Sequence, residues 1–373
     1  MEKHLHIVCL DVPYPVDYGG VFDLFYKITA LKELGVFIHL HCFEYGRGKQ
    51  PELEKYCVEV LYYSRRKGHK GFSLKVPYIV SSRINEDLYT RLLQDDYPIF
   101  LEGIHCSHLL LNNKFENRKL FLRIHNTEYL YYRQLAKSET NIFKKMYYLH
   151  ESSLLMNYEK SIARRATLLT VSEQDAAIYR NGFNATRILN LPAFLPFTNI
   201  QSETGIGCYC LYHGNLSVAE NEKAAIWLLK EVFNNMKVPF VIAGKNPSTR
   251  LKNLAHEQPN TCLVANPSGE ELQDMISKAQ INIIPSFNST GIKLKLLNVL
   301  YNGRHCVVNE ATTRGSGLEA ACHTASNATA IKNIIAQLYH QPFGEEEITL
   351  RKTLLEAGFN NNRNAQLLIK WIW

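Results

Sequence analysis

The sequence predicts an α/β protein with two doubly wound, parallel-sheet domains. Short apolar runs alternate with helix-period segments along the chain, and such alternation builds parallel sheets flanked by helices. The rhythm runs twice, with an aperiodic stretch between the two passes. The length agrees: 373 residues amount to about two domains at roughly 150 residues each.

In the first half, apolar runs fall at 5–12, 36–43, 57–62, 98–101, 119–124 and 167–171. The run at the start is too short for a signal peptide and ends at Pro13, Tyr14 and Pro15, so it reads as a buried first strand. Within 21–34, Val21, Leu24, Phe25, Ile28, Leu31 and Leu34 form one helical stripe. Gly35 then stands at the C-cap position. Ser172, followed by Glu173 and Asp175, reads as an N-cap with an acidic first turn. The second half has runs at 207–213, 238–243, 261–265, 280–285 and 305–309, with helices at 220–235 and 269–279. The predicted division is a domain over 1–190, a proline-bearing linker over 191–206, a domain over 207–345 and a helical tail over 346–373.

Lys plus Arg minus Asp plus Glu is 42 − 35 = +7. That mild excess fits phosphate-bearing ligands or an anionic surface, and no basic block is long enough to indicate nucleic acid. The basic-aromatic stretch 141–165 reads as a helix packed on its own domain, with peripheral membrane contact as the alternative. Nine scattered cysteines without a C-x-x-C pair read as reduced, cytoplasmic thiols.

In doubly wound sheets ligands sit beyond the carboxyl ends of the strands, so the residues after each run are the candidates. After the first run, Gly19 and Gly20 precede a helix, where bare backbone and a helix N-terminus suit an anion or a sugar. Glu102 and His105 follow the fourth run, and Arg123, His125, Asn126 and Glu128 follow the fifth. A histidine at that level is a candidate acid/base or hydroxyl acceptor. In the second half, Ser289, Thr290, Gly291, Ile292, Lys293 and Lys295 lead from a strand into a helix. Lysine normally avoids a helix N-terminus, and a diphosphate there would remove the conflict. Gly214, Asn215 and Lys245 end two further strands, and Asn266 is placed to meet a base through its backbone. No D-x-D, P-loop, G-x-S-x-G or H-E-x-x-H occurs, so no metal site is assigned. His105–Cys106–His108 and His39 with His41 lack the further ligands a metal needs.

These stretches resemble GT-B glycosyltransferases of the family-4, "group 1" type over nearly the whole chain. The resemblance rests on Tyr14-Pro15 with Gly19-Gly20, and on Arg123-x-His125-Asn126-x-Glu128 with Tyr158-Glu159 downstream. It rests also on His213-Gly214-Asn215 with Asn221, and on Gly291-Ile-Lys-Leu-Lys295 followed by Asn298, Gly303, His305 and Gly317-Leu318. It implies two Rossmann-like domains facing a cleft, with the last helix crossing back to the first. It implies a GDP- or UDP-sugar donor on the C-terminal half, a glycan or lipid-linked acceptor on the N-terminal half, no cofactor or metal, and retention at the anomeric carbon. Lys295 and the turn 290–293 would hold phosphate, Gly19 and Gly20 would lie near the diphosphate, and His125 or His105 would face the acceptor hydroxyl. The expected enzyme is a cytoplasmic hexosyltransferase of mannose or glucose type, working in polysaccharide biosynthesis at the inner face of the membrane. The family's paired glutamates fall on Thr290 and Asn298, which raises an inactive GT-B-like partner as an alternative. A nucleotide-sugar epimerase is the other.

Overall fold

The computed structural model describes all residues except Met1, Asp17, Tyr18, Thr140, Ser289 and Thr290. The chain divides into two compact units, 1–196 with 359–373 and 197–358.

Unit 1 runs β1 (Lys3–Cys9), α1 (Gly19–Glu33), β2 (Val36–Glu44), β3 (Glu59–Ser64), α2 (Tyr78–Ser81), α3 (Glu86–Leu92), β4 (Ile99–Glu102) and β5 (Leu120–Ile124). It continues α4 (Glu128–Ser138), α5 (Ile142–Ile162), β6 (Thr167–Thr170), α6 (Glu173–Gly182) and β7 (Ile188–Asn190). Unit 2 runs β8 (Cys210–Asn215), α7 (Ala219–Trp227), β9 (Phe240–Lys245), α8 (Thr249–His256), β10 (Thr261–Ala265), α9 (Gly269–Lys278), β11 (Ile281–Ile284) and α10 (Leu294–Asn302). It closes with β12 (His305–Val308), α11 (Glu310–Thr313), β13 (His323–Thr324), α12 (Ala328–Leu338) and α13 (Glu345–Gly358). Then α14 (Asn361–Ile372) returns to unit 1.

Both sheets are parallel, in the orders β3-β2-β1-β4-β5-β6-β7 and β10-β9-β8-β11-β12-β13. This is the doubly wound α/β architecture that the alternation of runs predicts. Successive side chains of a strand point to opposite faces, so each sheet carries a core on each side. On one face of the first sheet, Leu5, Ile7 and Cys9 of β1 pack with Leu24, Ile28 and Leu31 of α1 and with Ala365, Leu368 and Ile372 of α14. On the other face, Val8, Leu101 and Leu122 pack with Leu88 and Leu92 of α3 and with Leu155 and Ile162 of α5. Each buried aliphatic side chain contributes about 1.5–3 kcal/mol. The stripe of α1 stops where Gly35 takes φ +78°, a conformation other residues resist.

The tail expected from 346 is split between the units. Helix α13 belongs to unit 2, where Arg351 is buried against the carbonyls of Gly303 and Arg304. Only from Phe359 onward does the chain join unit 1. The strands β7 and β13, three and two residues long, are absent from the sequence reading because neither is long enough to show a period. Among the described residues, no helix is long and apolar enough to cross a membrane.

In each sheet the order reverses at one point, between β1 and β4 and between β8 and β11. A crevice opens beyond the carboxyl ends at such a reversal. Glycines 19 and 20 and Glu102 follow β1 and β4, while His213–Asn215 and the segment 285–293 follow β8 and β11.

Candidate active site

In unit 1 the carboxyl ends of β4 and β5 hold a buried cluster of charges. Lys27 of α1 donates to Asp23 Oδ2 at 2.9 Å and to both oxygens of Glu102 at 2.9 and 2.8 Å. The Arg123 guanidinium binds Asp23 in bidentate fashion at 3.1 and 3.0 Å and also donates to the carbonyls of Leu191 and Pro192. The Phe194 N–H donates to Asp23 Oδ1 at 2.8 Å. Two carboxylates and two cations therefore balance. Burial alone would raise the Glu102 pKa, but Lys27 and His125 outweigh it and hold the carboxyl below its ordinary value.

Because Glu102 is ionised, His125 Nε2 must donate to it, across 2.8 Å. The other ring nitrogen, Nδ1, lies 4.0 Å from Asp23 Oδ2, and the imidazole is partly exposed. An imidazole oriented by a carboxylate is an arrangement suited to acid/base work on a hydroxyl. His105 differs. Its Nδ1 is buried without a partner, and burial, then Arg83, pushes its pKa well below the ordinary value. It is a neutral imidazole with an unmet hydrogen bond.

Asp23, Glu102 and His125 also offer three metal-ligating atoms within 4.8 Å of one another. The donor set does not suit a cation, because Lys27 and Arg123 already occupy the carboxylates.

Arg123 and Glu128 are enclosed, so they hold the 125–128 turn in place and do not reach solvent. The Glu159 carboxylate accepts the N–H groups of Glu128 and Tyr129 at 2.9 and 3.0 Å, and Asp175 Oδ1 accepts the N–H and the hydroxyl of Thr127 at 2.9 and 2.7 Å. Two carboxylates thus satisfy the N-terminus of α4. Asn126, half-buried, hydrogen-bonds the Glu128 side chain. Burial first, then Glu159 and Asp175, raises the Glu128 pKa from 4.5 to about 8. A carboxyl with a raised folded pKa stabilises at low pH, and that stability is lost as pH rises from 4.5 through 8. A Glu128→Gln variant keeps the shape of the neutral acid. Its melting temperature should match the parent near pH 5 and exceed it by about 3 °C or more at pH 9. Equal melting curves at pH 9 would show that Glu128 ionises freely.

In unit 2, Gly214 of β8 pairs with Gly244 of β9. A Cβ at Gly244 would stand 1.8 Å from the Gly214 carbonyl oxygen, so only glycine fits. Beyond this floor, Lys295 Nζ donates to Asn221 Oδ1 at 3.1 Å and lies 5.0 Å from the centre of the Tyr212 ring. Asn221 in turn donates to the Asn215 carbonyl at 2.9 Å, and the Tyr212 hydroxyl donates to the Asn221 carbonyl at 3.0 Å. Burial lowers the Lys295 pKa to about 8, with Glu220 pulling up and Lys293 pushing down. Among the described residues, Lys295 has no carboxylate within ion-pair distance. Beside it, His213 Nε2 is buried and unpartnered, and burial, then Lys295, lowers the His213 pKa to about 3. In the sequence Asn221 stands only in the stretch that carries the resemblance, and Tyr212 is not among the candidates. The visible signal was the aromatic two residues before Gly214.

Gly291 takes φ +63°, and Lys293 caps α10, so Lys295 sits in the first turn. Ile292 is half-buried there. Ser289 and Thr290 lie outside the described residues. Asn266 takes φ +55° and accepts the Asn246 N–H at 2.7 Å, which braces the ends of β9 and β10 beside the exposed Lys245. Asn298 Oδ1 accepts from Gln273 at 3.2 Å and from Asn302 at 2.8 Å. That oxygen ties α10 to α9.

No family model matches the chain. An uncharacterized 44.6 kDa protein in the cps region of Klebsiella pneumoniae is 29% identical over 331 residues, covering 83% of this chain and 84% of that protein. Solved structures are similar over nearly the full length. A glycosyltransferase from Rickettsia africae matches with TM-score 0.64 at 13% identity, covering 100% of this chain and 98% of that one. Anabaena HepE in complex with UDP and glucose matches with TM-score 0.66 at 11% identity, covering 99% of each chain. S. aureus TarM with UDP, alpha-GlcNAc-glycerol and fondaparinux matches with TM-score 0.67 at 10% identity, also over 99% of each. The two sheets and their helices are those of the GT-B fold.

Proposed function

We propose that this GT-B chain is a glycosyltransferase that moves a hexose from a nucleotide-sugar to a glycan or lipid-linked acceptor. The observation that supports it most is Lys295, a buried ammonium with no carboxylate partner among the described residues, in the first turn of a helix at the sheet's reversal point. Such a position lacks only an anion. The HepE and TarM structures that match hold UDP, so a GDP- or UDP-sugar is the donor class we assign.

In this reading the departing nucleoside diphosphate is stabilised by Lys295, by the backbone of 291–293 and by the α10 N-terminus. Each well-placed donor supplies roughly 3 kcal/mol. No metal is required where fixed cations meet the developing charge. Gly19 and Gly20 open α1 with backbone N–H groups free of side chains, suited to an anion or a sugar. His125, oriented by Glu102, faces the acceptor hydroxyl, and the anomeric configuration is retained.

The cps-region relative supports a role in capsule-type polysaccharide synthesis. Peripheral membrane contact fits α5, where Ile142, Phe143, Met146 and Leu149 are all exposed beside Lys144 and Lys145. A second reading, a donor-binding partner without turnover, draws on Asn298. Its oxygen is engaged within unit 2 where the family has a glutamate.

The test is a thermal-shift panel of nucleoside diphosphates with and without Mg²⁺ or chelator. At 100 times Kd a ligand adds about 2.7 kcal/mol. A metal-indifferent rise with GDP or UDP, followed by release of nucleotide from its hexose conjugate, is expected. Binding without release would favour the partner reading. No rise with any nucleotide would overturn the donor assignment.

A further inference from the structure

A second basic site lies at the other end of the first sheet. A concavity of about 760 Å³ opens at the amino ends of β5, β6 and β7, lined by Arg118, Lys119, Arg164, Arg165, Arg187 and Trp371. It is separated from His125 by the length of β5, about 16 Å at 3.3 Å per residue. Against these five cations the lining holds one acid, Glu116.

The charges here are arranged unlike those around Asp23. There every cation meets a carboxylate. Here only Arg118 meets a carboxylate, Asp95 Oδ1 at 3.4 Å, and three of the other four cations meet backbone carbonyls. Lys119 Nζ donates to the Ile372 carbonyl at 3.2 Å, Arg164 Nε to that of Asn184 at 3.0 Å, and Arg165 to that of Leu110 at 3.3 Å. A carbonyl orients a guanidinium without cancelling its charge. Among the described residues, Lys119, Arg164, Arg165 and Arg187 form no ion pair. Arg118 lines the deeper wall. Its side chain is 8% exposed, pairs with Asp95 Oδ1 at 3.4 Å and binds the carbonyls of Leu92 and Asp95 at 2.7 and 2.6 Å, while its Nε is buried with no partner among the described residues. A half-buried Trp371 completes the lining, packed on the core that β1 and α1 share.

We propose that this concavity binds an anionic saccharide, a sugar segment carrying carboxylates. Arginine forks recognise planar carboxylates in bidentate fashion, and an indole offers an apolar face to a pyranose ring. The volume lies within the range of sites for drug-sized ligands. The site is argued without the donor assignment, and its test uses no nucleotide, so the two can fail separately.

The experiment is calorimetric titration of the full chain at 50 mM salt, with Trp fluorescence alongside. Three probes are used: a tetrasaccharide of alternating glucuronate and N-acetylglucosamine, neutral maltotetraose, and inorganic pyrophosphate. The uronate tetrasaccharide should bind, change the Trp emission and weaken at least tenfold by 300 mM salt, while maltotetraose should not bind. The double variant Arg164→Ala with Arg187→Ala changes two exposed side chains. It should lose at least tenfold in affinity at an unchanged melting temperature. No binding of the tetrasaccharide, or equal binding by the double variant, would overturn the proposal. Pyrophosphate binding as tightly as the tetrasaccharide, and weakened as much by the double variant, would also overturn it, by showing an anion site in the concavity with no use for the sugar.

Discussion

A Lys295→Ala variant is expected to lose turnover by about 10²–10³-fold, the cost of removing one preorganised donor to a developing charge. The pH dependence makes this more specific than a loss of activity. The free Lys295 ammonium titrates near 8 because burial disfavours its charge. A bound diphosphate restores the charge and raises the pKa, so binding takes up a proton above pH 8. Nucleotide affinity should fall up to tenfold per pH unit between about 8 and 10. In Lys295→Ala that slope should vanish along with most of the affinity. A variant that kept the parent's turnover, or an affinity flat across pH 8–10 in the parent, would remove Lys295 from the donor site. Lys295→Arg keeps a charge but not the compact ammonium that fits beside Asn221 and Tyr212, so partial recovery is expected.

Replacing Asp23 should have the largest effect on stability. Asp23 accepts from Lys27, from two nitrogens of Arg123 and from the Phe194 N–H. With Asp23→Ala, two buried cations share Glu102 alone, and one positive charge stays uncompensated in the interior. Breaking a buried pair on one side costs about 3–5 kcal/mol, which for a unit of this size lowers the melting temperature by about 10 °C. The double replacement Asp23→Leu with Arg123→Met removes both charges and should recover a good part of the loss. A single Asp23→Ala variant that melted within a degree or two of the parent would show that water screens the cluster.

The cluster also marks where the sequence stops being readable. Glu102, Arg123 and His125 stand out because polar groups at strand ends are unusual, and the structure brings all three together. Asp23 and Lys27 do not stand out. They lie inside the span of the α1 apolar stripe, where an aspartate and a lysine four apart read as an ordinary surface pair. Their burial depends on β4 and β5, strands about 75 and 100 residues downstream that no local pattern connects to them. Lys295 was readable for the opposite reason, since its conflict with the α10 N-terminus is local. Asn221 was not placed in the site, because its contact to Lys295 spans two elements. Strand positions were mostly visible from apolar runs of four residues or more. The basic concavity left no trace, because its cations come from separated segments, each holding one or two charges.

The return of α14 to unit 1 bears on the order of assembly at the ribosome. Residues 359–373 follow the whole of unit 2 in the chain. While unit 2 is being synthesised, the face of unit 1 formed by Leu24, Ile28 and Leu31 lacks Ala365, Leu368 and Ile372. The earlier unit is therefore the later one to be completed, with an apolar seam open throughout translation of the other. Such a seam suits a chaperone that waits on nascent chains. A chain ending at Gly358 should hold a finished second unit and an unfinished first one.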